Sequence, residues 1–254
     1  MALEDSLREL QGRIAPLERL IEVFTASLAA PLLRPNITDL GFRYGAPDIR
    51  HFCLLKAARI VSALNASVEL ARKGYSQEIA ILMRTVVDSG RQIEYVLDFD
   101  EFEDHRSNVK KLIDEFFGDS QRGPDADIKS VLVRDKVINE QLGKTLDKIA
   151  AMSGDGENRI PAAKKLFTSA RAFSLYVHAR YLECMDLYGG RPGRFHLRGM
   201  SGTPKDAETV EMLDTFLAVA NTTFILMVQG LDLRALVRSD PLLAEWERRW
   251  FAVP

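Results

Sequence analysis

The chain has 254 residues, of which 46% are hydrophobic and 28% charged, and its net charge at pH 7 is −2. This composition is that of an ordinary globular chain, long enough for one large domain or two small ones, and it argues against a disordered protein. Cys53 and Cys184 are far apart and belong to no paired motif, which argues against a disulfide framework or a zinc knuckle and predicts two buried thiols.

No segment predicts secretion or membrane insertion. The first ten residues, MALEDSLREL, lack a basic region followed by an apolar run, so no signal peptide is expected. The most apolar stretch, Phe216 to Val228, has 13 residues and contains Asn221, which makes it too short and too polar to cross a bilayer. We therefore predict a core helix there, a cytoplasmic protein and no membrane partner.

An apolar heptad series opens the chain and predicts a helix that packs on another helix, from this chain or from a second copy. Pro16 removes an amide donor, so a short bent hairpin is an alternative to one continuous helix. Pro31 to Pro47 is rich in Pro, Gly and Asn and predicts a connection between an N-terminal helical arm (1–46) and a helical bundle (47–254). The series comprises Leu3, Leu7, Leu10, Ile14, Leu17, Ile21, Phe24 and Leu28.

Helical periodicity predicts the next three elements, over Asp48 to Lys73, Ser76 to Asp98 and about 102–117. Arg84 and Asp88 are four residues apart in the second of them and can form a salt bridge along the helix. We favour that structural interpretation. The alternative is a small-molecule pocket lined by Arg84, Asp88 and Tyr95.

Two further helical segments are predicted between residues 128 and 152, followed by a long helix from Ala162 to Gly190. The apolar positions of the long helix recur every three or four residues and predict one face packed against the core. That face comprises Leu166, Ala170, Phe173, Val177, Tyr181 and Cys184.

The end of the chain is predicted to contain one long loop and two helices. The loop runs from Gly189 to Asp206, and the helices cover Ala207 to about Val237 and Pro241 to Phe251. Trp246 and Trp250 share one face of the last helix and predict either a contact with the body of the protein or a dimer interface. Since no segment shows a β pattern, the predicted fold class is an all-α multi-helix bundle.

Basic residues concentrate in one part of the chain. Between residues 159 and 205 there are nine cations and two anions, while the rest of the chain is acidic. Such a segment predicts a site for a polyanion, and the alternative is a solvated helix face with a basic loop. The nine cations are Arg159, Lys164, Lys165, Arg171, Arg180, Arg191, Arg194, Arg198 and Lys205.

No metal ligand spacing, nucleotide-binding loop or nucleophile elbow is present, so we expect neither a metal nor a cofactor. Within the basic segment, Arg171 and His178 are seven residues apart, which on one helix places them on nearly the same side and roughly 10 Å apart along the axis. The pair can therefore hold one ligand.

Arg171-Ala-Phe-Ser-Leu-Tyr-Val-His178 has the form R-x6-H and resembles the motif of the HEPN superfamily, helical domains whose ribonuclease members carry R-x4-6-H on a bundle helix. The stretch GYSQEIAILMRTVVDSGRQIEYVLD is also similar to a helix of uncharacterised bacterial proteins of this kind, in which an acid follows Arg by four residues. Here that acid is Asp88. Ala172 departs from the family pattern, which usually has a polar residue after the Arg.

The resemblance implies an RNA-binding or metal-independent RNA-cleaving protein, of a bacterial toxin or phage-defence kind, that acts as a homodimer and has an antitoxin or another defence protein as partner. His178 and Arg171 would be the catalytic residues, with His178 transferring protons and Arg171 holding the phosphate. Ser174, one turn before His178, can orient its ring. The remaining candidates for RNA binding are Arg180, Arg191, Arg194, His196 and Arg198.

A different class of function stays open. His178 can be a structural histidine bonded beside the core, with Arg171 a surface charge. The chain would then be a non-catalytic helical interaction module that dimerises through its N-terminal seam and its tryptophans. Ala172 and the negative net charge favour this alternative.

Overall fold

The fold is all-α, as the helical periodicity predicts. The computed structural model describes residues 3–35, 40–97, 103–118, 175–191 and 193–251. The helices predicted between residues 128 and 152 lie outside these ranges, as do Arg171 and Ser174. The described helices are α1 (Leu3–Ala26), α2 (Ile49–Arg72), α3 (Ser76–Leu97), α4 (Glu103–Gly118), α5 (Tyr181–Met185), α6 (Lys205–Gly230), α7 (Arg234–Arg238) and α8 (Pro241–Phe251).

Four long helices, α1, α2, α3 and α6, form the core. Helix α2 packs along α3, and α6 packs on α3, α1 and α2. Helix α2 begins where Asp48 accepts hydrogen bonds from the amides of Arg50 and His51 and so satisfies two amides of the first turn. Phe24, Phe52 and Phe224, from three different helices, are fully buried between them.

Helix α1 is continuous from Leu3 to Ala26 and packs on α2, α6, α7 and α8 of the same chain. The bent hairpin at Pro16 is therefore wrong. The buried side chains of α1 belong to the same core as those of α2. One position of the predicted seam shifts: Leu20 is buried, whereas Ile21 is only partly buried. A straight helix with 3.6 residues per turn drifts from a seven-residue repeat.

Gly12 lies inside α1, and a Cβ atom at this position would have no neighbour within 4 Å. Glycine costs a helix about 0.5–1 kcal/mol relative to alanine because it has more conformational freedom to lose on folding. We expect Gly12→Ala to raise the free energy of unfolding by about that amount. Urea denaturation followed by circular dichroism measures it, and a loss of stability would contradict the open space at Gly12.

The predicted connection from Pro31 to Pro47 contains two short strands, β1 (Leu32–Pro35) and β2 (Leu40–Arg43). They pair antiparallel, with Leu33 opposite Phe42. The prediction that no part of the chain forms β structure is therefore wrong for this segment. Each strand has four residues, too few to show a two-residue alternation in the sequence.

Helix α6 ends at Gly230, and α7 follows after a turn in which Asp232 has a φ of +53°, so the single helix predicted to about Val237 is wrong.

By length and composition alone, α6 is the one helix in the described part of the chain that could cross a membrane. In the structure it packs in the core. Its Asn221 accepts a hydrogen bond from Trp246 Nε1 (2.7 Å) and donates one to the carbonyl of Leu217 (2.7 Å), which fixes α8 onto α6.

Candidate functional site

His178 lies at the end of a helical turn. Residues 175–177 are helical, and Ala179 then takes a φ of +45°. The amide of Arg180 donates to the carbonyl of Leu175 (3.2 Å), and the amide of Ala179 donates to that of Tyr176 (3.1 Å). These two bonds form a Schellman motif, with His178 as the last residue before the left-handed position.

The predicted helix from Ala162 to Gly190 is therefore wrong beyond His178. The chain leaves the helix at Ala179, and the short helix α5 and a 3₁₀ turn (Asp186–Tyr188) follow. Tyr181 is 76% exposed and Cys184 is exposed, so neither packs on the core as predicted. Alanine favours helix, so its left-handed conformation leaves no mark in the sequence.

Side-chain contacts hold α5 and the turn in place. The hydroxyl of Tyr176 donates to Asp186 Oδ2 (2.7 Å), and Lys205 Nζ lies 4.0 Å from Asp186 Oδ1. Burial and the hydrogen bond to Asp186 raise the pKa of Tyr176. Gln77 of α3 donates to the carbonyl of Glu183. The segment around His178 is thus tied to both α3 and α6.

The loop that follows the 3₁₀ turn, residues 189–204, is tied to the turn between α2 and α3. The amide of Met200 donates to the carbonyl of Gly74 (2.9 Å), and Met200 is buried. Gly199 and Gly74 both have positive φ angles, +88° and +73°. A Cβ at Gly199 would lie 1.8 Å from the carbonyl oxygen of Lys73, so only glycine permits this approach of two backbones.

His196 and Arg191, two candidates for RNA binding, hold the loop together. His196 is 8% exposed, and its Nε2 accepts a hydrogen bond from the amide of Arg191 (2.9 Å). Its own amide donates to the carbonyl of Leu187 (2.8 Å), and the Arg191 guanidinium donates to the carbonyl of Gly202 (2.7 Å). These bonds assign both residues a structural role in the loop.

The other described candidates are exposed. His178 and three arginines face solvent within one short segment, together with two large aromatic rings. Phe195 is 50% exposed and its ring lies 5.4 Å from that of Tyr188, which packs the loop against the 3₁₀ turn. We call these residues the basic-aromatic surface. They are His178, Arg180, Tyr181, Arg194, Phe195 and Arg198.

The second predicted site, on α3, contains a half-buried ion pair. Arg84 Nε lies 2.6 Å from Asp88 Oδ2, as the structural interpretation predicts, and Tyr95 is 3% exposed. One turn further, burial lowers the pKa of Arg91 and raises the pKa of Glu94, which accepts a hydrogen bond from Thr223 of α6 (3.3 Å).

Helices α3 and α6 come close at this point. A Cβ at Gly90 would lie 2.9 Å from Thr223 Oγ1, so the face of α3 that carries Gly90 and Glu94 packs directly on α6. The ion pair between Arg84 and Asp88 and the burial of Tyr95 favour a structural role over ligand binding for these three residues.

The predictions missed two features that shape the site. The left-handed turn at Ala179 had no sequence signal, whereas the glycines at 74 and 199 did, because glycine after a helix or in a loop is typical of a positive φ.

The HEPN resemblance stays a prediction, since Arg171 and Ser174 lie outside the described residues. Comparisons of the chain with models of protein families, with curated proteins and with solved structures found no match.

Proposed function

We propose that the chain binds single-stranded RNA through the basic-aromatic surface and cleaves it with His178. The observation that carries the proposal is the exposure of His178 at a helix end closed by a non-glycine residue of positive φ, Ala179. A left-handed alanine costs about 1–2 kcal/mol, and such strained positions cluster at functional sites. A role in presenting the His178 imidazole to a ligand would explain why the chain keeps the left-handed conformation at Ala179.

Charge supports an anionic ligand. Arg180, Arg194 and Arg198 are exposed, and one nearby anion, Asp186, accepts the hydrogen bond from Tyr176. Exposed arginines bind phosphate oxygens through paired N–H donors. A single strand of RNA offers such phosphates at regular spacing.

Aromatic exposure supports a single strand over a duplex. Tyr181 is 76% exposed and Phe195 50% exposed. Unpaired bases stack on exposed rings, and each stacked base contributes about 1–3 kcal/mol, whereas the bases of a duplex are already stacked. Arginines beside exposed rings are the usual combination in proteins that bind single strands.

The proposed cleavage uses the RNA's own 2′-hydroxyl. His178 accepts the 2′-hydroxyl proton, the 2′-oxygen bonds to phosphorus, and the P–O5′ bond breaks as the imidazolium returns a proton to the 5′-oxygen. The products are a 2′,3′-cyclic phosphate and a 5′-hydroxyl. Arg171 would stabilise the charge on the phosphate, and pairing of two copies, as the resemblance implies, would bring two such sites to one strand.

RNA binding can be tested without cleavage on a fluorescein-labelled 12-mer of 2′-O-methyl uridine, which lacks the attacking hydroxyl. We expect a variant with Arg180, Arg194 and Arg198 changed to Gln to bind about 100-fold more weakly at 0.1 M salt, because three phosphate contacts to a single strand contribute a salt slope of about 2. The difference should shrink as salt approaches 1 M. Fluorescence anisotropy measures both quantities.

The matched control removes three exposed arginines from other surfaces, Arg8, Arg59 and Arg248, by the same change to Gln. The control has the same net charge as the test variant, so equal losses of affinity in the two would contradict a local binding surface. No binding by the wild type at 0.1 M salt would contradict RNA as the ligand.

A second candidate is a protein-interaction surface on the same segment. Leu182 is 72% exposed and Leu197 76% exposed, and exposed apolar residues in one region mark protein interfaces. This alternative predicts a dimer in light scattering that Leu182→Ser and Leu197→Ser dissociate, together with an absence of RNA binding.

A further inference from the structure

We infer that a cavity between α1, α6 and α8 is a binding site for a small aromatic carboxylate. Its volume is about 430 Å³, within the range of about 300–1,000 Å³ that small-molecule sites occupy. The inference does not depend on RNA binding, since the cavity is lined by none of the residues of the basic-aromatic surface. The lining residues that carry the argument are Gly12, Pro16, Arg13, Trp246, Arg249 and Trp250.

The shape of the cavity comes from α1. Gly12 leaves open space where any other residue would place a Cβ atom. Pro16 has no amide hydrogen, so the Gly12 carbonyl receives no hydrogen bond from the position four residues later. Gly12 and Pro16 together make a recess in the helix and an acceptor oxygen beside it.

The opposite wall is aromatic and rigid. Trp246 is 4% exposed, and its indole is held by the 2.7 Å hydrogen bond to Asn221. Trp250, one turn later on the same face of α8, is partly buried against the core. Two indole rings and the Pro16 ring offer flat apolar surfaces, which favour a flat aromatic ligand.

The charged residues of the cavity favour an anion. Arg13, Arg249 and Glu245 line it. Arg13 is paired with Asp214, and Glu245 is paired with Arg248 and with Arg249, whose Nε lies 3.1 Å from Glu245 Oε1. Three arginines thus share two carboxylates, so a carboxylate on the ligand can bind the arginine side, and a hydroxyl or ring N–H can donate to the carbonyl of Gly12.

The probe is 4-hydroxyphenylacetate, which combines a flat ring, a hydroxyl donor and a carboxylate. The chain has two tryptophans and both line the cavity, so fluorescence excited at 295 nm reports on this site alone. We expect saturable quenching with a Kd below about 1 mM, a modest affinity in keeping with so small a ligand. The neutral amide of the probe should bind about tenfold more weakly.

Arg249→Gln and Arg248→Gln form a matched pair, because both arginines bond to Glu245 and only Arg249 lines the cavity. We expect Arg249→Gln to weaken binding by about tenfold and Arg248→Gln to leave it unchanged. Gly12→Leu should fill the recess and abolish binding, with its circular dichroism spectrum checked against the wild type.

Three results would overturn the inference. They are an absence of saturable quenching up to 10 mM probe, equal effects of the two arginine variants, and unchanged binding by a folded Gly12→Leu protein. If Gly12→Leu does not fold, the arginine pair and the neutral amide still decide the question. Loss of RNA binding by the charge variants described above leaves these outcomes unaffected.

Discussion

Gly199→Ala is expected to lower the free energy of unfolding by about 2–4 kcal/mol. Two causes add. Alanine is strained at a φ of +88°, and its Cβ would lie 1.8 Å from the carbonyl oxygen of Lys73, so one of the two backbones must move. The movement would weaken the hydrogen bond from Met200 to Gly74 and expose the buried Met200 side chain.

Gly202→Ala is the matched control for this prediction. Gly202 has a similar positive φ of +76°, but its Cβ would have no neighbour within 4 Å, so only the backbone strain of about 1–2 kcal/mol applies. Urea denaturation gives both free energies, and limited proteolysis shows whether residues 189–204 detach first. Equal losses in the two variants would contradict the close backbone contact at Lys73.

The long core helices could be predicted because each shows several turns of regular apolar spacing. Helix α2 was predicted from 48 to 73 and covers Ile49–Arg72, and α3 was predicted from 76 to 98 and covers Ser76–Leu97. The salt bridge between Arg84 and Asp88 followed from helix geometry alone. Apolar spacing and contacts within one helix determine such elements, so tertiary packing changed their predicted bounds by only a residue.

The candidate site was harder to predict because packing overrides local preference there. The apolar spacing at Val177, Tyr181 and Cys184 favours helix, yet the chain turns at Ala179 and docks on Gln77 and Lys205. Packing also decides the role of His196. Its position in a basic segment made it a candidate for RNA binding, but in the structure its side chain bonds to the amide of Arg191 and closes a loop. The contacts that decide the first outcome include Gln77, which is distant in sequence, whereas His196 bonds to Arg191 and Leu187 of its own segment.

His178→Ala is expected to lower the rate of RNA cleavage by about 10²–10⁴-fold, the contribution that a positioned acid–base group makes. The substitution should leave RNA affinity nearly unchanged, because the imidazole acts on the 2′-hydroxyl proton while the arginines bind phosphate. Free imidazole in the buffer should restore part of the rate, which loss of a purely structural histidine would not allow. Ser201→Ala, an exposed change in the neighbouring loop, is the control.

Single-turnover cleavage of a mixed-sequence RNA by wild type and by His178→Ala, in EDTA and at equal protein concentration, tests the proposed function most directly. We predict products ending in 2′,3′-cyclic phosphate from the wild type, background rates from His178→Ala and partial recovery with imidazole. Cleavage at equal rates by the two proteins would contradict a catalytic role for His178. Binding by the wild type without any cleavage would contradict the nuclease activity and leave an RNA-binding protein.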